Sequence, residues 1–288
     1  MVGHDVQTSV PRIIDENVDS RWRVGTRLVI GHTLGRLQSR MRPSFLIIGA
    51  PKAGSTALFK YMELHPQIVA PQVKEIQFFD HRYWLGEPWY ATYFPPRTHG
   101  DDRTTFEATA NYVYHPACAA RIHAYDPSIK LIAVLRNPID RAYSNWNWRI
   151  GLGWHNFGYE TFDAMVRGEI DAIARNGTGY PGNTAPKYLQ RGLYAEQLEP
   201  YFALFPGEQI RVIDSTALRR DTVNTLNAVT RWLGLRDHDW AGKHLTPANE
   251  SRSAEPLRDE TRAALAEFYR PHNERLYALL GVDYGWNP

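Results

Sequence analysis

The sequence predicts a single-domain α/β protein, in which a parallel sheet is flanked by helices and a phosphate-binding loop follows the first strand. The apolar run Phe45–Ile48 leads into a loop with two glycines, and a helical pattern begins directly afterwards at Ser55. The segment Lys130–Leu135, apolar after its first residue, is typical of a strand buried on both faces of a parallel sheet. With 288 residues, of which 43% are hydrophobic, the chain can bury one large core without a second domain.

The loop after the first strand predicts an anion site. Gly49 and Gly54 let backbone N–H groups surround an anion, the following helix adds its free N-terminal donors, and Lys52 adds a full positive charge. In a nucleoside-triphosphatase loop the lysine directly follows the second glycine, and a hydroxyl residue beside it holds magnesium. Here Ser55 follows Gly54, so we expect a phosphate loop of a different type. A glycine-rich turn with an exposed lysine is the alternative interpretation.

Composition excludes several classes of protein. The formal net charge of +2 gives no case for nucleic-acid binding. A single cysteine, Cys118, excludes an intrachain disulfide and every cysteine-rich metal site, which fits a reducing cytoplasm. We find no run of eighteen apolar residues and no signal-peptide pattern at the N-terminus, so the sequence predicts a soluble cytoplasmic protein.

The N-terminal segment 1–43 is expected to lie outside the main domain, which we place at residues 44–288. Residues 1–20 lack periodicity and predict a mobile arm. Residues 21–42 interleave arginines with apolar side chains, a pattern that allows peripheral contact with an anionic membrane surface. An ordinary helix packed on the domain is the alternative.

Further elements follow in order along the chain. Two short strands are predicted at 67–71 and from 105, a helix at 117–125, and a helix from Pro138 to about Arg149, with Asn137 as its N-cap. Residues 150–186 are interpreted as long connections around the cleft. A helix at 188–205, a strand at 210–214 and a helix at 222–233 precede a terminal helix at 257–280, which we expect to be interrupted or bent near Pro271.

Charged residues near strand ends are candidates for binding and catalysis. Arg136 follows the strand Lys130–Leu135 and adjoins a helix N-terminus, where a guanidinium binds a phosphate through two parallel hydrogen bonds. Ser144 can add a hydroxyl from the same helix. Glu75 lies near the expected end of the second strand, where α/β sheets present ligand-binding loops. A salt bridge for Arg136 and a solvated carboxylate for Glu75 are the alternatives.

Four motifs in this order carry a family resemblance: Pro51–Thr56, Glu75–Asp80, Glu107–Tyr112 and Arg136–Ser144. Over roughly residues 44–285 the chain resembles the sulfotransferases that use 3′-phosphoadenosine 5′-phosphosulfate (PAPS). It is most similar to the branch that contains the heparan sulfate N- and 3-O-sulfotransferases and their bacterial relatives. The resemblance implies in-line transfer of a sulfuryl group to a hydroxyl or amine of a carbohydrate, lipid or specialised small molecule, with no metal required.

The resemblance also implies roles for individual residues. Glu75 is implied to be the general base, and Lys52 to stabilise the leaving nucleotide. Arg136 and Ser144 are implied to bind the 3′-phosphate. The residues implied to bind the 5′-phosphosulfate are Lys52, Ala53, Gly54, Ser55 and Thr56.

The chain departs from the heparan sulfate enzymes in two places. Ala108 follows Glu107, where those enzymes have a lysine, and Asn249–Ser253 replaces their cysteine-bridged loop and basic element. Within this segment we expect Arg252 to take over a phosphate contact. Both differences argue against a large polyanionic acceptor, because such a chain needs a basic groove.

Aromatic and histidine side chains near the motifs are candidates for acceptor binding, although core packing explains the aromatic ones equally well. They are His81, Trp84, Tyr112 and Trp148. Two other functions stay open from the sequence: a nucleotide kinase or hydrolase with a phosphate loop, and a non-catalytic nucleotide-binding adaptor.

Overall fold

The computed structural model describes residues 39–100, 102–153, 158–179, 187–240, 243, 245 and 256–287. Its strands are β1 (Pro43–Gly49), β2 (Thr105–Ala108), β3 (Lys130–Leu135) and β4 (Ile210–Asp214). They form one parallel sheet in the order β2-β1-β3-β4. The predicted fold class is therefore confirmed, and all four strands carry their C-terminal ends to the same edge of the sheet.

Helices connect and cover these strands, as parallel pairing requires. They are α1 (Ser55–Met62), α2 (Gly86–Ala91), α3 (Cys118–Tyr125), α4 (Pro138–Gly151), α5 (Phe162–Asn176), α6 (Tyr194–Leu204), α7 (Ser215–Arg220), α8 (Thr222–Leu233) and α9 (Asp259–Leu280). Short helical turns lie at Phe78–Arg82, Tyr83–Leu85, Gln190–Gly192 and Gly207–Gln209. In the described part of the chain, no helix is long and apolar enough to cross a bilayer.

The central strand β1 forms the middle of the main core. Its residues Phe45–Ile48 have no exposed surface, because helices cover both faces of the sheet. The ring of Phe45 stacks on Phe106 of β2 at a centroid distance of 5.0 Å. Burying a side chain of this size stabilises the fold by about 2 kcal/mol, so β1 holds the loop that follows it in a fixed position.

A second cluster of buried apolar residues joins α4, α5 and α9 beside the sheet. It contains Ile139, Met165, Leu189, Leu265 and Tyr269. The Tyr269 hydroxyl donates to the Leu189 carbonyl at 2.8 Å, which attaches the segment before α6 to the terminal helix. This cluster supports α4, the helix that begins directly after Arg136.

The strand predicted at 67–71 was wrong. Only Ile68 pairs with the sheet, through a single parallel bridge to Thr104. The segment has Pro66 and Pro71 at its ends, and neither residue can donate a backbone hydrogen bond to a ladder.

The long connection predicted at 150–186 was also wrong, since α5 occupies 15 residues of it. The Thr161 hydroxyl caps this helix by accepting from the Ala164 amide at 3.2 Å, and Gly177 ends it with a φ of 73°. Residues Phe162, Met165, Val166 and Glu169 bury its inner face. Helix α9 is not interrupted at Pro271, because buried side chains on both sides of the proline, Tyr269 and Asn273 among them, fix its continuation.

Several sequence predictions fall outside the described residues. They concern the arm at 1–20, most of the basic segment at 21–42, and Arg252 with its neighbours in Asn249–Ser253. The domain boundary at residue 44 stays a prediction.

Candidate active site

The phosphate loop joins β1 to α1 in a backbone conformation that its glycines permit. Gly54 has a φ of 114° directly before α1, and Lys52 has a φ of 66°. The Ala50 amide donates to the Val134 carbonyl at 2.7 Å, which attaches the loop to β3. Ala53 and Ser55 are buried in the loop and at the start of the helix. A non-glycine residue with positive φ costs about 1–3 kcal/mol, and such residues concentrate at functional sites.

Gly49 at the end of β1 allows a second segment to approach the loop. A Cβ at this position would lie 2.4 Å from Val113 Cγ1 and 3.0 Å from the Ala110 carbonyl oxygen, so only glycine fits. The Val113 amide donates to the Ile48 carbonyl at 2.8 Å. The segment that follows β2 therefore packs against the end of β1, beside the phosphate loop.

Two cations lie together at this edge of the sheet. The Arg136 Nη1 donates to the Lys52 carbonyl at 3.3 Å. Burial, followed by the charge of Arg136, lowers the pKa of Lys52 from 10.5 to about 8. The Lys52 ammonium lies 5.1 Å from the centroid of the Trp148 ring, so Trp148 is next to the phosphate loop.

Arg136 is held at the junction of β3 and α4. The Asn137 side chain caps α4 by accepting from the Ile139 amide at 3.0 Å, as predicted, and the Tyr194 hydroxyl donates to the Arg136 carbonyl at 2.9 Å. Burial lowers the pKa of the guanidinium, an effect that Asp140 opposes and Arg219 increases. The Arg136 Nε is buried and has no hydrogen-bond acceptor in the described structure. Such a group is suited to receive an anion.

Helix α4 places Ser144 two turns beyond this junction. Ser144 is buried on the inner face of the helix. The sequence predicted a hydroxyl on the same side as Arg136, and its role in binding stays a prediction.

Glu75 does not belong to β2 but lies beside the C-terminal end of that strand, in a strained backbone conformation. Its φ is 61°, and its amide donates to the Ala108 carbonyl at 2.9 Å. One carboxylate oxygen, Oε1, pairs with the buried Lys74 ammonium, and the other, Oε2, accepts from the Ala110 amide at 3.0 Å. The base candidate is therefore oriented by an ion pair and a backbone donor. Sequence reasoning missed Lys74, although its position directly before Glu75 was a signal.

Glu107 forms a buried hydrogen-bond centre that sequence reasoning also missed. Its carboxyl group accepts from the hydroxyls of Tyr90 at 2.9 Å, Tyr112 at 2.9 Å and Thr109. Burial raises the pKa of this carboxyl from 4.5 to about 8, against the opposing effect of the three hydroxyls. The group is therefore largely protonated at neutral pH.

The structure buries Tyr112, one of the residues predicted to bind the acceptor. The side chain has no exposed surface, and its hydroxyl accepts from the Phe78 amide at 2.9 Å while it donates to Glu107. Tyr112 thus holds the turn that follows Glu75. The exposed edge of this region is formed by other residues.

The other acceptor candidates lie in different environments. His81 has its Nε2 3.5 Å from the buried Asp80 carboxylate, which also accepts from the Asn111 side chain at 2.9 Å. Trp84 is 76% exposed in the turn before α2. Trp148, by contrast, lies beside Lys52 of the phosphate loop.

Comparison with known proteins now adds to this geometry. A family model for the sulfotransferase domain matches residues 42–246. The chain belongs to the sulfotransferase family. Membership confirms the resemblance expected from the sequence.

Individual relatives agree with the family. The chain is 30% identical over 269 residues to a bifunctional heparan sulfate N-deacetylase/N-sulfotransferase 4 of Mus musculus, covering 83% of this chain and 30% of that protein. It is 29% identical over 272 residues to the heparan sulfate glucosamine 3-O-sulfotransferase 3A1 of Mus musculus, covering 86% and 65%. The chain thus spans less than two thirds of the length of either relative.

A solved structure shares the fold. The sulfotransferase from Alicyclobacillus acidocaldarius aligns with a TM-score of 0.69 and 26% sequence identity, over 86% of this chain and 100% of that chain. The phosphate loop, Glu75, Glu107 and Arg136 all lie within the residues that the family model matches.

Proposed function

We propose that this chain transfers a sulfuryl group from PAPS to a hydroxyl or amine, with a carbohydrate as the preferred acceptor class. The observation that carries the proposal is the proximity of two cationic residues, Lys52 and Arg136. The Arg136 guanidinium donates to the Lys52 backbone carbonyl at 3.3 Å. Burial lowers the pKa of each cation, and neither has a carboxylate within 4 Å among the described residues. A ligand with separate anionic groups suits such a site.

The phosphate loop and the segment that follows β3 offer cationic and hydrogen-bonding groups for the two anionic ends of PAPS. Lys52 and the amides of Ala53–Thr56 would hold the 5′-phosphosulfate, where the start of α1 adds its free donors. Arg136, whose Nε lacks an acceptor, would hold the 3′-phosphate together with Ser144. PAPS supplies the sulfuryl group when it is bound.

Glu75 would act as the general base. Its carboxylate accepts the proton of the acceptor hydroxyl or amine while the acceptor oxygen or nitrogen bonds to sulfur, and the bond from sulfur to the nucleotide oxygen breaks. Lys52 then stabilises the negative charge that grows on the leaving nucleotide. Lys74 and the Ala110 amide orient the carboxylate, which favours a rate gain from positioning.

The acceptor class rests on the relatives, whose names describe sulfotransfer to heparan sulfate and its glucosamine. Lipids and specialised small molecules remain within the same chemistry, since each offers a hydroxyl or amine. Replacement of the lysine after Glu107 by Ala108 supports a less anionic acceptor than heparan sulfate. Of the predicted acceptor residues, His81, Trp84 and Trp148 would contact it.

A nucleotide kinase or hydrolase fits the residues less well. Such an enzyme places a magnesium-binding hydroxyl after the loop lysine and an acid at a strand end. Here Ala53 follows Lys52, and β3 ends at Leu135 with Arg136 directly after it.

The experiment measures transfer of labelled sulfate from PAPS to a panel of amino sugars, polysaccharides and hydroxylated lipids. Glu75→Gln should reduce turnover about a thousandfold and change the affinity for 3′-phosphoadenosine 5′-phosphate (PAP) by less than about twofold. The matched control is Glu208→Gln, because Glu208 is exposed and is distant from Glu75 in the sequence. This substitution should leave both turnover and PAP affinity unchanged.

Retained turnover in Glu75→Gln would overturn the base assignment. A wild-type protein that binds PAP but labels no acceptor would instead favour a nucleotide-binding adaptor.

A further inference from the structure

The edge of the sheet continues beyond Arg136 to the end of β4. Strands β3 and β4 are parallel, with Leu135 opposite Asp214. Arg136 directly follows β3, and Ser215 directly follows β4. The start of α7 therefore lies beside the proposed site for the 3′-phosphate.

Helix α7 packs directly against the phosphate loop. A Cβ on Gly54 would lie 3.6 Å from Leu218 Cδ2, which is ordinary van der Waals contact. Leu218 is buried, whereas the next residue, Arg219, is exposed. The contact between Leu218 and the loop therefore fixes the position of an exposed arginine close to the nucleotide site.

Arg219 has no carboxylate partner among the residues that the structure describes. Its Nε donates to the Ser215 carbonyl of its own helix at 3.3 Å. In the described parts of the chain, no carboxylate lies within 4 Å of its guanidinium. The guanidinium thus keeps donors for a ligand.

Polar groups at the same edge lack partners. The Arg136 Nε and the Ser215 Oγ are both buried without a hydrogen bond in the described structure. Burial lowers the pKa of Arg136, and the charge of Arg219 lowers it further. The carboxylate that opposes this effect, Asp140, is already paired with Arg262 at 3.2 Å. Two cations close enough to repel each other favour the binding of an anion nearby.

We propose that Arg219 is a second arginine for the 3′-phosphate of the donor nucleotide, facing Arg136 across that phosphate. The inference rests on the proposed function and adds a residue to its donor site. A phosphate monoester carries up to two negative charges and three terminal oxygens, so two guanidinium groups can each donate to it. Arg219 therefore contributes to the preference for a nucleotide that is phosphorylated at the 3′ position.

The test compares two nucleotides that differ only in that phosphate. The 288-residue protein is titrated calorimetrically with PAP and with adenosine 5′-phosphate, as wild type, Arg219→Ala, Arg219→Lys and Arg220→Ala. Arg220 is the matched control, because it is the next residue, is exposed and carries the same charge.

Arg219→Ala should weaken PAP binding about tenfold and adenosine 5′-phosphate binding less than about twofold. Arg219→Lys should recover part of the loss, since it keeps the charge but not the planar fork. Arg220→Ala should bind both nucleotides like the wild type.

Three results would overturn the inference: unchanged PAP binding in Arg219→Ala, equal loss for the two nucleotides, or equal loss in Arg219→Ala and Arg220→Ala. A wild type that binds both nucleotides alike, or neither, would refute the donor assignment itself and this inference with it. A wild type that discriminates, with an Arg219→Ala variant that discriminates equally, would refute the inference alone.

Discussion

The two sides of the candidate site differ in how their charges are satisfied. On the β2 side, the carboxyl groups have protein donors: Glu75 is held by Lys74 and the Ala110 amide, and Glu107 by three hydroxyls. On the β3 side, the Arg136 Nε has no acceptor among the described residues, and the Lys52 ammonium lies against a tryptophan ring.

We call the β2 side the acidic side and the β3 side the cationic side. The acidic side is preorganised, because the protein forms its hydrogen bonds before any substrate arrives. The cationic side has lowered pKa values, since burial penalises its charges and the protein supplies little compensation. The proposed anionic ligand would complete that side, so changes on the two sides should have different consequences.

The largest effect on the cationic side is expected from Arg136→Ala. Loss of a guanidinium that binds the 3′-phosphate should weaken PAP binding about a hundredfold. The midpoint of thermal unfolding should change little, because Arg136 makes few bonds within the protein. Arg231→Ala, an exposed arginine on α8, is the control. Unchanged PAP affinity, measured by calorimetry, would contradict the division described above.

On the acidic side, Glu107 should make stability depend on pH. Its pKa is raised from 4.5 to about 8 in the folded protein, so the folded state binds more protons than the unfolded state between these values. The stabilisation is present at low pH and is lost as pH rises towards 8, by up to about 1.4 kcal/mol per pH unit. Denaturant titrations from pH 5 to 8 measure the slope.

Glu107→Gln provides the comparison, because it keeps the shape of a protonated carboxyl and cannot ionise. Its stability should vary less with pH over the same range. An identical slope in the variant and the wild type would assign the pH dependence to other groups.

Lys52 should make nucleotide affinity depend on pH. Because its pKa is about 8 without ligand, and a bound anion raises it, binding above pH 8 requires uptake of a proton. PAP affinity should therefore fall with rising pH above 8, by up to about tenfold per unit. Lys52→Arg, which stays protonated, should show a flatter profile in calorimetric titrations between pH 7 and 10. A profile as steep as that of the wild type would exclude Lys52 as the titrating group.

The smallest effect is expected from Trp148. Removing the ring beside the Lys52 ammonium in Trp148→Ala should weaken PAP binding about threefold. Trp84→Ala should leave PAP affinity unchanged, because Trp84 is 76% exposed in a separate turn. Equal effects of the two substitutions on PAP affinity would indicate that neither acts through Lys52.

The sequence predicted the cationic side better than the acidic side. Lys52 and Gly54 belong to one short loop, and Arg136 directly follows the clear apolar strand β3, so local pattern identified both. Some partners on the acidic side come from distant segments: the Ala110 amide lies 35 residues from Glu75, and Tyr90 lies 17 residues from Glu107. Such long-range hydrogen bonds leave no periodic signal in one sequence.

The position of Trp148 beside Lys52 depends on the length and direction of α4, so the sequence alone did not show it. Helix α5 was missed although its sequence carries the signals, with Thr161 as N-cap, Gly177 after the last turn and buried residues at helical spacing. The composition of the segments on either side of this pattern led instead to the prediction of a long connection over residues 150–186.

The central claim is that the cationic side receives a nucleotide with a 3′-phosphate. Calorimetric titration of the wild-type protein with PAP, without added metal, beside a titration with ATP and magnesium, tests it most directly. The account predicts clear binding of PAP and a lower affinity for ATP with magnesium. A preference for ATP with magnesium, or no binding of PAP, would contradict it.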